Sequence, residues 1–124
     1  MGYETRWEPP RGVVKRFFGY VSNKELLQSV IDTESDPRFD DLRFVINDFL
    51  DVRNISVSRD DVEYISAVDR AAAATNPNIR IAVVANRPEI IALANQYANS
   101  PMNAYPTRVF ATLAEARAWL GTPH

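Results

Sequence analysis

Hydroxyl, amide and charged side chains concentrate in one short stretch of this 124-residue chain, directly after a strongly apolar run. The stretch contains Asn47, Asp48, Asp51, Arg53, Asn54, Ser56 and Ser58. Such residue types bind cations, accept a phosphoryl group or contact a partner, but a lone Asp48 supplies too few oxygen ligands for Mg²⁺. The simplest interpretation is structural: Asp48 binds loop backbone, Ser58 only caps a helix, and the charges between them are solvated. The alternative is a recognition loop on a rigid scaffold, with Ser56 or Ser58 as a phosphorylation site.

Other residue types that could carry catalysis are scarce or poorly placed. The only histidine, His124, is the last residue, where we expect fraying rather than general-base catalysis. The absence of cysteine excludes thiol catalysis, disulfides and thiolate metal sites. Four scattered glycines form no Gly-rich loop that could approach nucleotide phosphates. We therefore expect no enzymatic activity, no cofactor and no bound metal, and a hydrolytic enzyme is the least favoured function.

Composition is typical of one globular domain, which we place over residues 1–124. Hydrophobic residues make up 46% and charged residues 24% of the chain, and the formal net charge is -2. That balance provides no general attraction for nucleic acid. The amino terminus has no apolar signal segment, and no apolar run approaches ~20 residues. We expect a cytoplasmic protein without integral membrane association.

Four places in the chain combine a capping residue with an acid three positions later, a pattern typical of helix starts. They are Ser22 with Glu25, Ser58 with Asp61, Asn86 with Glu89, and Thr112 with Glu115. Each acid occupies the positive end of the helix dipole, where an anionic ligand would otherwise bind. Three of these starts are expected to be structural, and only the Ser58 start, which follows the long polar stretch from Asp48 to Val57, keeps a functional hypothesis.

The elements that position these residues alternate along the chain. Residues 3–8 and 13–21 predict an antiparallel hairpin around the turn at 9–12. Residues 43–49 predict a central strand, followed by a long connection over 50–57; residues 79–85 and 108–111 predict two more strands. The predicted fold is α/β: a single-domain, five-stranded mixed sheet in the order β-β-α-β-α-β-α-β-α. The hairpin strand lies at an edge that could pair with a second copy, although Glu4, Arg6 and two prolines oppose this, so a homodimer is left open.

The loop over 99–106 carries two large apolar side chains, Met102 and Tyr105. Such residues usually fold back onto the core. Together with Tyr97 on the preceding predicted helix, they could instead line a cavity between sheet and helices that takes a small apolar ligand or a lipid.

The order of elements, the RFVINDF and IRIAVVA strands, and the terminal Glu115-Ala116-Arg117-Ala118-Trp119-Leu120 resemble the SpoIIAA-like family. That family is close to the STAS domains of anti-sigma-factor antagonists and related in fold to the Sec14 lipid-binding domain. The resemblance implies a non-enzymatic module that binds a protein partner or a small ligand. Phosphorylatable members carry an Asp-Ser-Ser/Thr-Gly motif after the third strand; here Asp48 is followed by Phe49-Leu50-Asp51, and the nearest serines come later.

Overall fold

The computed structural model describes residues 2–122, which form a five-stranded mixed sheet with α-helices on both faces. In chain order the elements are β1 (Tyr3–Glu8), β2 (Gly12–Ser22), α1 (Asn23–Glu34), a short 3-10 helix (Pro37–Asp41), β3 (Phe44–Ser56), α2 (Arg59–Ala72), β4 (Arg80–Val84), α3 (Pro88–Asn99), β5 (Thr107–Phe110) and α4 (Leu113–Leu120). None of the helices within this described range is long and apolar enough to cross a bilayer.

The strands lie side by side in the order of the chain, β1-β2-β3-β4-β5. Strand β1 is antiparallel to β2, and the remaining neighbours are parallel, with Val45 opposite both Val13 and Ile81. This arrangement confirms the predicted mixed sheet, the amino-terminal hairpin and the central position of the third strand. Glu4 and Arg6 are exposed on β1, which forms one edge of the sheet.

Neighbouring residues of each strand contribute to different cores, because side chains alternate between the two faces of a sheet. Val45 belongs to the larger core, where the sheet packs against α1, α2 and α3. Ile46 belongs to a smaller core, where Ala116 and Trp119 of α4 cover the opposite face. The face under α1, α2 and α3 is therefore the thicker side of the molecule.

The predicted connection over 50–57 is wrong, since β3 continues to Ser56. Beyond Asp48 the strand pairs only with β2, up to the pair Ser22 and Ser56. Buried Val52 keeps this extension packed on the larger core, while its polar neighbours are exposed. The pairing register shifts on both sides of the segment Phe18–Gly19, and Gly19 has a left-handed φ of 64°. These irregularities disrupt the period-two pattern that would have identified a strand.

Three of the four predicted caps are confirmed. The side chains of Ser22, Ser58 and Thr112 each accept the backbone N–H of the acid three residues later. The Asn86 cap is wrong: α3 has Arg87 at its N-cap, without a side-chain capping bond. Pro88 at the first helical position explains the shift, because its fixed φ and missing N–H suit that position and set where the helix begins.

Candidate functional site

Asp48 lies in the middle of β3 rather than in a loop, and its side chain is buried with 7% exposure. It lies opposite Val84, the last residue of β4. One carboxylate oxygen accepts the backbone N–H of Leu50 at 2.9 Å. Asp48 therefore serves a local structural purpose: it binds backbone at the point where β3 loses its neighbour.

The two charged residues farther along β3 are exposed, as the simplest interpretation predicted. Asp51 accepts from the guanidinium of Arg16 at 2.9 Å, and Arg16 also contacts Glu4 at 3.4 Å. Arg53 forms no ion pair with any residue in the described part of the chain. Solvated ion pairs such as that of Asp51 contribute little to stability, and Arg53 has none to contribute.

Ser58 is exposed and begins α2 with a reciprocal capping box. Its Oγ accepts the N–H of Asp61 at 3.1 Å, and the Asp61 carboxylate accepts the N–H of Ser58 at 2.8 Å. The N–H of Ser58 and the amide of Asn23 lower the pKa of Asp61, because both bonds favour its charged form. Ser56, two residues earlier, is also exposed.

The start of α1 lies directly beside the start of α2. The side-chain amide of Asn23 donates to Asp61 at 3.2 Å, and Ser22 lies opposite Ser56 in the sheet. The sequence hypothesis included only the second of these starts. A sequence signal for this pairing existed, because the same capping motif follows both β2 and β3. When two such strands are parallel neighbours, their carboxyl ends, and the helices that follow, lie at the same edge of the sheet.

The structure places Tyr97 and Tyr105 beside two adjacent cavities and leaves Met102 outside both. Tyr97 lines a cavity of about 100 Å³ between the sheet and the three helices. Met102 is exposed and does not line it. Tyr105 is buried, donates a hydrogen bond from its hydroxyl to the carbonyl of Asn76 at 2.9 Å, and lines the adjacent, smaller cavity. The three side chains therefore have different surroundings: Tyr97 lines the larger cavity, Tyr105 is buried at the smaller one, and Met102 is exposed.

A buried polar cluster, absent from the sequence hypotheses, lies beside the larger cavity. Lys15 of β2 is 4% exposed and donates its ammonium to the carbonyl of Ser29 at 2.7 Å. Asp69 of α2 is also buried and accepts the hydroxyl of Tyr97 at 2.5 Å. The half-buried carboxyl of Glu34 forms a hydrogen bond with that of Asp69. Three ionisable groups thus share one corner of the core.

Burial shifts the protonation of this cluster. Removal from water lowers the pKa of Lys15 to about 8, although the nearby Asp69 charge opposes that shift. Burial and the bond to Asp69 raise the pKa of Glu34 to about 9, so that its carboxyl is protonated at neutral pH. Burial and the Asp69 charge also raise the pKa of Tyr97. The residues were identifiable in principle, because Lys15 alternates with Val13 and Phe17, and Asp69 lies four residues after Ile65.

Within residues 2–122, no group of three or more His, Cys, Asp or Glu side chains is placed to hold a metal ion. Two of the polar clusters in the structure are the exposed hydroxyl and charged side chains at the ends of β2 and β3, and the buried cluster under α1 and α2.

The fold that positions these groups is SpoIIAA-like. No protein-family model matches the chain, and no curated protein matches it in sequence. Among solved structures, it is similar to the anti-sigma factor antagonist SpoIIAA in its unphosphorylated form, with a TM-score of 0.65, 12% identity, and 97% of this chain and 99% of that chain covered. The phosphorylated form of SpoIIAA, a Bacillus cell fate determinant, gives a TM-score of 0.63 at 12% identity, with 95% and 98% covered.

A second kind of structural relative has no assigned function. It is an uncharacterised protein of the DUF3478 family from Shewanella loihica, whose fold is also described as SpoIIAA-like. The TM-score is 0.57 at 10% identity, with 95% of this chain and 91% of that chain covered. At these identities the similarity establishes the fold and confirms the expected SpoIIAA-like architecture.

Proposed function

We propose that this chain is a non-enzymatic regulatory module of the STAS type, which presents the end of β3 and the start of α2 to a protein partner. We call this segment, residues 53–61, the β3–α2 segment. The observation that carries the proposal is the exposed Ser58 at a helix start beside a second helix start, on a fold shared with an anti-sigma factor antagonist. The structural relative is known in unphosphorylated and phosphorylated forms.

The β3–α2 segment offers side chains suited to a protein interface. Arg53, Ser56 and Ser58 are exposed, and Tyr64, one turn farther along α2, is 60% exposed. Arginine and tyrosine are enriched among the residues that dominate binding energy at interfaces. Because Arg53 has no ion pair within the described region, contact with a partner carboxylate would break no internal one.

Ser58 is also the residue best placed for control by phosphorylation. A phosphate on its Oγ would lie at the positive end of α2, which is favourable, but close to the carboxylates of Asp60 and Asp61, which is not. The existing bond from the Asp61 N–H to Oγ shows that a donor is already directed at this position. Phosphorylation would therefore change the charge of the proposed contact segment without requiring a new fold.

The test is affinity capture of partners from native extract with the whole chain. Arg53→Ala and Ser58→Glu should each lose the same captured protein, because both change the β3–α2 segment. Matched controls are Arg70→Ala, an exposed arginine at the other end of α2, and Thr112→Glu, another capping residue followed by an acid. Retention of the partner by the first pair, or equal loss in all four variants, contradicts the proposal. Intact mass of native protein reports a phosphate on Ser58 independently.

A further inference from the structure

The two cavities on the thicker side of the molecule are adjacent. The larger has a volume of about 100 Å³ and the smaller about 40 Å³. Four residues line both of them: Val30, Asn47, Asp69 and Ile81. We call the pair the chamber; it has an apolar end, the larger cavity, and a polar end, the smaller one.

The apolar end is walled by aliphatic side chains from α1, β3, α2, β4 and α3, including Val62 and Ile65 of α2 and Ile90 of α3. Native interiors contain few voids larger than one water molecule, because unfilled space forfeits dispersion contacts. Water gains little in such a space, since it finds few partners there. An engineered apolar cavity of about 150 Å³ remains dry and binds benzene. The chamber is of comparable size.

The polar end supplies hydrogen-bonding groups without a net charge. The side-chain amide of Asn47 lines both cavities and makes no hydrogen bond to another residue of the range 2–122. The carboxylate of Asp69 and the ammonium of Lys15 balance each other, and Glu34 contributes a neutral carboxyl. Removing a further ion from water would be costly here. A ligand that fits must therefore be neutral and able to form a hydrogen bond.

We propose that the chamber binds a small uncharged molecule, about one six-membered ring in size and bearing one hydroxyl group. The ring occupies the space between Val62, Ile65 and Ile90, and the hydroxyl group reaches Asn47 and Asp69. Phenol is the simplest molecule with this chemistry.

The chamber also touches the β3–α2 segment, which gives binding a regulatory consequence. Val57 and Val62, on either side of Ser58, line the apolar end. A ring in contact with both residues holds the start of α2 against the sheet. The ligand thus favours the state in which this helix start is packed over the state in which it is detached, because it binds the packed state more tightly. This consequence rests on the proposed function of the segment, whereas the binding itself does not.

Binding is tested by titrating the whole protein with phenol, benzene and benzoate while following the methyl NMR signals of Ile65 and Ile90. Phenol should give a saturable shift at millimolar concentration, benzene at least threefold weaker binding, and benzoate none. Ala94→Leu fills the apolar end and should weaken phenol binding at least tenfold, whereas Ala92→Leu, on the exposed side of the same helix, should not. Circular dichroism verifies that both variants fold.

No saturable shift in the wild-type protein overturns the proposal, as does equal weakening in both variants or preference for benzoate. Asn47→Ala gives a second readout: it should reduce the preference for phenol over benzene without abolishing benzene binding. The regulatory consequence is measured by amide hydrogen exchange at Ser58–Asp61, which should slow at least threefold with saturating phenol. Unchanged exchange with intact binding refutes that consequence alone, and failed partner capture with intact phenol binding refutes only the proposed function.

Discussion

The two polar regions of this protein differ in almost every physical respect. The β3–α2 segment is exposed, and its neighbour Asp51 pairs with Arg16 in solvent, where ion pairs contribute little. The buried cluster of Lys15, Glu34 and Asp69 lies in a medium that weakly screens charge, where burial shifts the pKa values of Lys15 and Glu34 strongly. A polar residue's contribution to stability therefore depends on its burial. Because the exposed residues of the β3–α2 segment contribute little to folding, they can contact a partner without loss of stability.

The largest expected effect comes from removing the shared acceptor of the buried cluster. Asp69→Ala removes the acid that most strongly balances the ammonium of Lys15 and leaves the hydroxyl of Tyr97 without an acceptor. We expect it to lower the free energy of unfolding by about 2–4 kcal/mol. Asp51→Ala, the matched exposed acid, should lower it by less than about 1 kcal/mol. Urea unfolding of both variants measures the difference; similar losses would erase the contrast between the regions.

The next largest effect is a pH dependence of the free energy of unfolding, which arises from the buried cluster and not from the β3–α2 segment. Glu34 has a pKa raised from 4.5 to about 9, so the folded protein holds a proton that the unfolded chain releases. Its stabilising contribution is full below pH 4.5 and is lost progressively as the pH rises towards 9. After allowance for solvent screening of this half-buried group, we expect a loss of about 1–2 kcal/mol between pH 5 and pH 8.

Two features sharpen this pH prediction. The pKa of Lys15 is lowered from 10.5 to about 8, so its contribution acts in the opposite direction and increases stability above pH 8. Surface acids with lowered pKa values, such as Asp36 at about 2, lose their stabilising contribution only at more acidic pH, so they add no slope between pH 5 and pH 10. Chemical denaturation across pH 5–10 should therefore give a minimum near pH 8–9. Glu34→Gln should abolish the fall between pH 5 and pH 8, and its persistence would assign the fall to another group.

A smaller effect is expected at the helix starts, where local structure and proposed function coincide. Ser58→Ala removes the acceptor for the N–H of Asp61, and Thr112→Ala does the same for Glu115. Each should reduce the free energy of unfolding by about 1 kcal/mol. Only the Ser58 variant should also weaken partner capture. If both variants weaken it equally, the partner responds to stability and not to the β3–α2 segment.

The last comparison separates the two large apolar side chains of the 99–106 loop, of which Met102 should give the smallest effect. Tyr105→Phe loses the buried bond to the carbonyl of Asn76 and should cost about 1 kcal/mol. Met102→Ala changes an exposed side chain and should stay within about 0.5 kcal/mol of wild type. Thermal unfolding midpoints of the two variants provide the measurement. A larger loss at Met102 would mean that this side chain covers apolar surface in solution.

The architecture was predictable because its signals are local. Apolar runs, turn residues and capping patterns identified the strands, the hairpin and three of the four helix starts. Strand β3 was cut short at Phe49 because the extension to Ser56 has mostly exposed side chains, and only pairing with β2 maintains it as a strand. The Asn86 cap was wrong by one residue, since the proline that follows has a stronger preference for its own helix position.

The amino-acid sequence by itself determined the succession of elements, the central strand and the exposed serine at the start of α2, because these depend on neighbours within a few residues. Only the tertiary structure decided that the starts of α1 and α2 adjoin, and that Lys15, Glu34 and Asp69 meet in the core. These contacts join residues on different elements, and their energies depend on burial, which packing determines.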